Sequence, residues 1–217
     1  TRLPIASASK LVSGVTLFRL IEANYLTLDT RTGAVLGWQG DNAVITLRQL
    51  LSFTSGLDPD ALCNYMASIT LRDCANSLEQ LPLVAPPGTR FDYGSSHLAV
   101  AATMAEQLTG QGWNSLFQTW LAQPLGISPD AIYYANPVNA QGTSNPLPAG
   151  GLRMTMNEYA RVLRLVFDRG TLNGSPFISA SLFVEQGRLQ YPDSTIGNSP
   201  PAAGPGQRYG LTAWLDC

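Results

Sequence analysis

PIASASKLVSGVTLFRLIEANYLTLDT, residues 4–30, decides the reading of this chain. Apolar side chains at Leu11, Val12, Val15, Leu17, Phe18, Leu20 and Ile21 fall on nearly every face of a helix, the pattern of a helix enclosed by the core. Ser7 then sits at its first turn, and Lys10, three residues on, shares its face, so the amine reaches the hydroxyl. That pairing has a chemical use. A serine hydroxyl is a poor nucleophile until a base takes its proton, and a lysine acts as that base only when burial or nearby positive charge lowers its pKa. The apolar helix offers the burial, and the partial positive charge at its N-terminus favours an oxyanion formed at Ser7. Ser-x-x-Lys alone is a weak motif, since ordinary usage of the two residues yields about one match by chance in a chain of this length. A capping serine beside a snorkelling lysine would explain it as well. Its place at the head of the most apolar helix sets it apart, because a lysine there is otherwise a costly misfit.

Tyr93 is the second candidate. It follows Ala85-Pro86-Pro87-Gly88-Thr89-Arg90, a run punctuated by proline and glycine, and precedes an apolar pattern at Leu98, Ala101, Ala102, Ala105 and Leu108, so it stands just before a helix. A loop held between a rigid turn and a helix can project a phenol into a cleft, although a tyrosine packed at a helix start reads the same way. Free tyrosine has a pKa of about 10, so service as a base would require Lys10 to stabilise the phenolate. His97 is the only histidine; no acidic residue stands at a spacing that would orient it, and a packed or surface role is the reading. One histidine and three scattered cysteines form no zinc pattern, and there is neither a Walker loop nor a Gly-x-Gly-x-x-Gly element, so neither metal nor cofactor is implied.

Several segments match, in order, the serine β-lactamase and penicillin-binding-protein superfamily, and within it the class C-like esterases, transacylases and D-aminopeptidases. They are PIASASK, LTLDT at 26–30, ITLRQLLSFTSGL at 45–57, PPGTRFDYGSSHLAVAATMAEQLTG at 86–110, LAQPLGI at 121–127 and AGGLRMTMNEYARV at 149–162, and the resemblance they mark out extends over nearly the whole chain. The resemblance implies an α+β fold, with Ser7 as the acylated serine and its own N–H as one oxyanion donor. It implies Lys10 as the family's lysine, Tyr93 as the tyrosine of a Tyr-x-Asn or Tyr-x-Ser element, and Ser95 as a substrate-binding residue. Two departures stand out. Phe53 occupies a place where relatives often carry histidine before Thr-Ser-Gly, which reads as structural. Ser95 replaces an asparagine usual in class C β-lactamases, and a lone hydroxyl cannot both donate to and accept from a side-chain amide as that asparagine does. The reading therefore shifts toward an esterase or transesterase, with a D-stereospecific peptidase, a β-lactamase or a catalytically silent binding protein as alternatives. The implied partner is a small ester, amide or D-amino-acid peptide.

Composition fits that class. Charged residues make up 13% of the 217, against about 25% on average, and the net charge of -2 carries no basic run of the kind nucleic acid requires. No apolar run approaches the roughly 20 residues of a membrane span, and the first residues lack a signal-peptide layout. Cys63 and Cys74 would form a short disulfide loop in an oxidising compartment, or stay as buried thiols, with Cys217 left over; a secreted or periplasmic location is the expectation.

Along the chain, the expected elements are a nucleophile helix near 7–23 and a hairpin or loop over Leu26 to Gly40. A helical region about 46–170 follows, with a brief helix at Thr46 to Leu51, one or two over 60–82, and further helices near 95–109, 113–122 and 156–169, the last capped by Thr155. Asn136 to Gly151 reads as a long loop bordering the cleft, residues 187–208 as loop, and Tyr209 to Leu215 as a strand opening a C-terminal sheet. Few residues precede Ser7, and the family's third motif, Lys or His, then Thr, Ser or Gly, then Gly, does not occur before Cys217. Residues 1–217 are therefore expected to be one partial domain, mostly the helical part, completed by further polypeptide that supplies most of the antiparallel sheet and the second oxyanion N–H.

Overall fold

Two helices without a polar face organise the packing. The computed structural model describes residues 1–135, 142–190, 195–200 and 208–215. Among them the helices are α1 (Ser9–Glu22), α2 (Thr32–Leu36), α3 (Leu47–Leu51), α4 (Leu71–Glu79), α5 (Ser96–Thr109), α6 (Trp113–Phe117), α7 (Met156–Phe167) and α8 (Ala180–Gln186). Helix α1 buries Val12, Val15, Leu17, Phe18 and Leu20, and α5 buries every residue from Ser96 to Ala105. Alanines at 99, 101, 102 and 105 keep α5 slender, so that α1, α2, α3, α4 and α6 all pack against it. By contrast α4 and α7 are two-faced: α7 buries Val162 and Leu165 while Met156, Leu163 and Phe167 stay exposed.

Capping chemistry fixes where three of these helices begin. Thr46, Thr70 and Thr155 each accept a hydrogen bond from the backbone N–H three residues on, and Gln49, Asp73 and Glu158 reach back to complete reciprocal boxes. The expected Thr155 cap is thus made to Glu158. Residues 26–40, expected as a hairpin or loop, instead contain α2, stopped by Gly37 at φ 77°. The helix expected over 113–122 begins as α6 and continues as a π-helical turn at Gln118–Ala122.

The strands are short. β1 (Leu3–Pro4) and β3 (Ile132–Tyr133) flank β4 (Leu152–Met154) in an antiparallel sheet, with Leu3 opposite Met154 and Ile132 opposite Arg153. β2 (Arg90–Phe91) pairs in parallel with β7 (Thr195–Ile196), within a region expected to be loop, and β5 (Thr171–Leu172) forms a hairpin with β6 (Ser175–Pro176). The strand expected over Tyr209 to Leu215 is only an isolated bridge between Tyr209 and Trp214, closed by Gly210 N–H on the Ala213 carbonyl. Its neighbour on the other side is α1. Thr212 seats against Gly14, where an added Cβ would come within 2.0 Å of the Thr212 hydroxyl, so only glycine admits this contact. Cys217, part of 136–151 and part of 187–208 lie outside the described residues.

Cys63 and Cys74 are joined in a disulfide that ties a 3₁₀ turn at Leu62–Tyr65 to α4. Closing a loop of this size removes denatured-chain entropy worth about 3 kcal/mol. Urea unfolding with and without a reductant should therefore show a loss near that size, and equal midpoints in the two conditions would contradict it.

Candidate active site

The chain reaches Ser7 through a sharp turn. Ala6 takes φ 45°, a conformation costing about 1–2 kcal/mol for a residue with a Cβ, and it swings the chain from β1 into a 3₁₀ turn at Ala6–Ala8. Ser7 therefore lies in that turn, just ahead of α1, and not in the first turn of the α-helix itself. The turn is pinned to β4, since Ile5 donates to the Leu152 carbonyl and the Leu152 N–H donates to the Ser9 hydroxyl. Ser7 is exposed and Lys10, directly beneath it, is only 5% exposed.

Lys10 makes three contacts. Its Nζ donates to Ser7 Oγ at 3.2 Å and to the Ala149 carbonyl at 2.9 Å, and it lies over the Tyr93 ring, 4.6 Å from the centroid. Burial lowers its pKa to about 8, against a smaller upward pull from the carboxylate of Asp60. About a tenth of Lys10 is then neutral at pH 7, and the fraction grows as pH rises through 8. Ala149 belongs to a strap, residues 144–152, that is stitched along α1: Ser13 donates to the Pro148 carbonyl at 2.7 Å and shares a hydrogen bond with the Tyr133 hydroxyl. Ser9 and Ser13 stand one helical turn apart on either side of the lysine, and their strap contacts fix where its amine points.

Tyr93 is held from behind. Its N–H donates to the Asn198 carbonyl and its carbonyl accepts from Asn198 Nδ2, both at 2.7 Å, while Asn198 N–H donates to the buried carboxylate of Asp92, itself clasped by Arg90. Trp214 stacks on the ring at 5.4 Å and Phe53 meets it edge-on. Burial pushes the phenol pKa up, and the Ser7 hydroxyl pulls it partly back. The expectation that Lys10 would stabilise a phenolate is therefore not met in the resting geometry: the amine faces the ring, and the phenol keeps its proton.

Phe53, the departure from the histidine of relatives, is fully buried at φ 58° and stacks on His97 at 4.9 Å and on Tyr209 at 4.9 Å. His97 is equally buried. Its Nε2–H donates to the Asp92 carbonyl at 2.7 Å, which leaves Nδ1 to accept from the Ser55 hydroxyl at 2.8 Å, and burial lowers its pKa to about 4. It is a neutral core residue beneath Tyr93.

Ser95 stands apart from the other three. Its hydroxyl is 3.2 Å from the Tyr65 hydroxyl, which donates to Asp60 at 2.6 Å. Neither Tyr65 nor Asp60 emerges from the sequence, because they belong to no motif and reach the site only when the disulfide loop folds against 94–96. Gly94 makes that approach possible, since a Cβ there would fall 2.0 Å from the Pro59 carbonyl oxygen. Ser7 opens onto a hollow of about 340 Å³ walled by Leu11, Tyr93, Tyr159, Tyr209, Thr212 and Trp214. Larger hollows of about 580 and 500 Å³ touch none of Ser7, Lys10 and Tyr93, so chemistry, not size, selects the site.

Short sheets around a buried helical core are the fold of the β-lactamase and penicillin-binding-protein class. The chain belongs to the beta-lactamase family, whose profile matches residues 1–216, a family made up in general of serine hydrolases. It is 34% identical over 104 residues to an unguisins hydrolase of Aspergillus violaceofuscus, covering 45% of this chain and 18% of that protein. It is 31% identical over 127 residues to penicillin-binding protein 4 of Amycolatopsis lactamdurans, covering 56% and 33% respectively. A solved structure of a candidate beta-lactamase from Bacteroides dorei superposes with a TM-score of 0.84 at 29% identity, over 99% of this chain and 66% of that one. The chain thus spans less than two thirds of the length of each of these relatives.

The buried histidine sets a pH dependence. Its folded pKa of about 4 lies below the ordinary 6.5, so between those values the unfolded chain binds a proton that the folded chain refuses, and stability falls as pH drops through that window. The full difference is about 3 kcal/mol. Urea midpoints measured from pH 7 to 4 should show this slope, and His97→Gln should remove it; an unchanged slope in the variant would contradict the assignment.

Proposed function

We propose that this chain carries the catalytic centre of a serine hydrolase that forms an acyl-enzyme at Ser7, acting as an esterase or transesterase. The observation that carries the reading is the approach of the buried, depressed-pKa amine of Lys10 to within 3.2 Å of the exposed Ser7 hydroxyl. Neutral Lys10 takes the hydroxyl proton as Oγ attacks the substrate carbonyl. The Ser7 N–H, at the head of the helix, faces the oxyanion that forms. Tyr93, protonated at neutral pH, gives its proton to the departing oxygen, and the Lys10 ammonium restores it, so the proton taken from Ser7 leaves with the alcohol. Water, or a second alcohol in transesterification, then attacks the acyl-enzyme by the same route in reverse.

The aromatic hollow beside Ser7 suits an apolar portion of an ester, and a hydroxyl at Ser95 in place of an amide supports ester over β-lactam substrates. Likeness to a penicillin-binding protein favours a second reading, a D-stereospecific peptidase using the same acyl-enzyme. We place the protein in a secreted or periplasmic setting, a reading supported by the Cys63–Cys74 disulfide. No helix among the described residues is long and apolar enough to cross a membrane.

A fluorophosphonate should label the full-length protein once, with the added mass on the peptide containing Ser7. Ser7→Ala should lose the label and reduce turnover of p-nitrophenyl butyrate by about 10³-fold or more while leaving the unfolding midpoint within a small margin. A folded Ser7→Ala protein that kept most of its turnover would overturn the reading.

A further inference from the structure

The segment leading into the disulfide loop brings one carboxylate to the edge of the site and leaves it unneutralised. Asp60 is exposed, and one of its oxygens is anchored by the Tyr65 hydroxyl at 2.6 Å. Among the described residues no cation pairs with it, and its second oxygen has no hydrogen-bond partner. Nor is it an unconstrained surface charge. Its backbone N–H donates to Asp58 Oδ1, Pro59 accepts from Ser96 N–H at 3.0 Å, and Ala61 N–H donates to the Ser96 hydroxyl, so residues 58–61 are fastened along 94–96. Tyr65 is gripped on both sides. Cys63 is held by the disulfide, and Asn145, buried in the strap, donates to the Cys63 and Met66 carbonyls at 2.8 and 2.9 Å. A hydroxyl chain consequently runs from Ser95 through Tyr65 to Asp60, beginning two residues from Tyr93.

An anchored carboxylate with a free oxygen, beside a cleft whose other charged group is a partly neutral lysine, attracts a cation from solution. The Ser95–Tyr65–Asp60 chain carries the carboxylate to the loop that bears Tyr93, and its charge pulls upward on the pKa of Lys10, the amine beside Ser7. A primary ammonium matches it best, since such a group can donate to the free oxygen of Asp60 and to the Ser95 hydroxyl together. An anionic substrate would meet repulsion at the same spot, with Asp58 adding to it.

We propose that Asp60, positioned by Tyr65, is a specificity residue that selects esters or amides bearing a protonated primary amine a few bonds from the acyl carbon. The proposal rests on the reading of Ser7 as the acylated serine and adds to it the charge of the preferred substrate. Tyr65 is a positioning residue here, because it acts on the substrate through the carboxylate it holds.

The test compares alanine methyl ester, in each enantiomer, with methyl isobutyrate, which has the same shape but a methyl group in place of the ammonium. In the full-length protein, kcat/KM should favour the ammonium ester, and the cationic-to-neutral ratio should fall about fivefold or more in Asp60→Asn. Tyr65→Phe should lower the ratio in the same direction, and added salt should compress it in the wild type but not in Asp60→Asn. A second arm separates this inference from the hydrolase reading. NMR titration of Ser7→Ala with both esters measures binding without turnover, and there too the preference for the ammonium ester should disappear with Asp60→Asn. A preference that survives Asp60→Asn, or no preference in either arm, overturns the proposal. Absence of turnover with every ester, together with an Asp60-dependent binding preference, would fault the hydrolase reading and leave the Asp60 assignment standing.

Discussion

A lysine amine held out of water beneath a serine hydroxyl is the contact on which the rest of this structure depends. An ammonium in an apolar setting is costly, and the chain relieves the cost in two ways. The Ala149 carbonyl accepts one hydrogen bond, and the amine gives up much of its hold on the proton, its pKa falling to about 8. The second is also what makes it useful. A surface lysine is almost wholly charged at neutral pH, whereas about a tenth of the enclosed Lys10 is neutral at pH 7, the form that the proposed proton transfer from Ser7 requires. The Tyr93 ring face gives the ammonium a favourable contact, and the upward pull that tempers the depression comes from the carboxylate of Asp60.

Keeping that amine in place draws on distant parts of the chain. The strap from Ser144 to Leu152 is fastened at one end to the disulfide loop, where Ser144 donates to the Ile69 carbonyl and Asn145 to those of Cys63 and Met66. At its other end it is fastened to Lys10, Ser13 and Ser9 on α1. Tyr93 is fixed by a separate set, Asn198, Asp92 and Arg90, resting on the stacked Phe53 and His97. Ser7 and Lys10, in the turn that leads into α1 and at that helix's start, and Tyr93, on the loop before α5, therefore come from two separately braced segments that meet at the head of α1, with the strap holding the amine of the first. A site assembled this way is held firmly because its anchoring groups are satisfied by hydrogen bonds, those of Lys10 on Ala149, Ser13 on Pro148 and Asn145 on Cys63 being buried.

How much of this is legible in the sequence follows from the range of each interaction. Helix α1, the approach of Lys10 to Ser7 and the Thr155 cap depend on neighbours three or four residues away, and periodicity with spacing reveals them. The position of Tyr93 before a helix is local as well. What spacing cannot show is contact across the fold. Ala149 offers Lys10 a backbone carbonyl, which any residue could supply; Tyr65 and Asp60 join Ser95 only through the packing of Pro59 on Gly94; β7 pairs with β2 across about a hundred residues. Electrostatic direction was hidden for the same reason. Proximity of Lys10 suggests a stabilised phenolate, but the amine meets the ring face and burial dominates, so Tyr93 holds its proton. His97, read from the sequence as packed or at the surface, is packed, with Ser55 reaching it from 42 residues away and Asp92 from five.

The division of labour between Lys10 and Tyr93 is open to direct measurement through the pH dependence of Ser7 acylation by a neutral fluorophosphonate, a probe with no titrating group of its own. With Lys10 as the base, the second-order rate constant should rise with pH and level off with a midpoint near 8. In Lys10→Ala that step should vanish along with most of the rate. A profile flat from pH 6 to 9.5, or one that rises only above pH 10 as a phenol ionises, would show that the buried lysine is not the group that takes the serine proton.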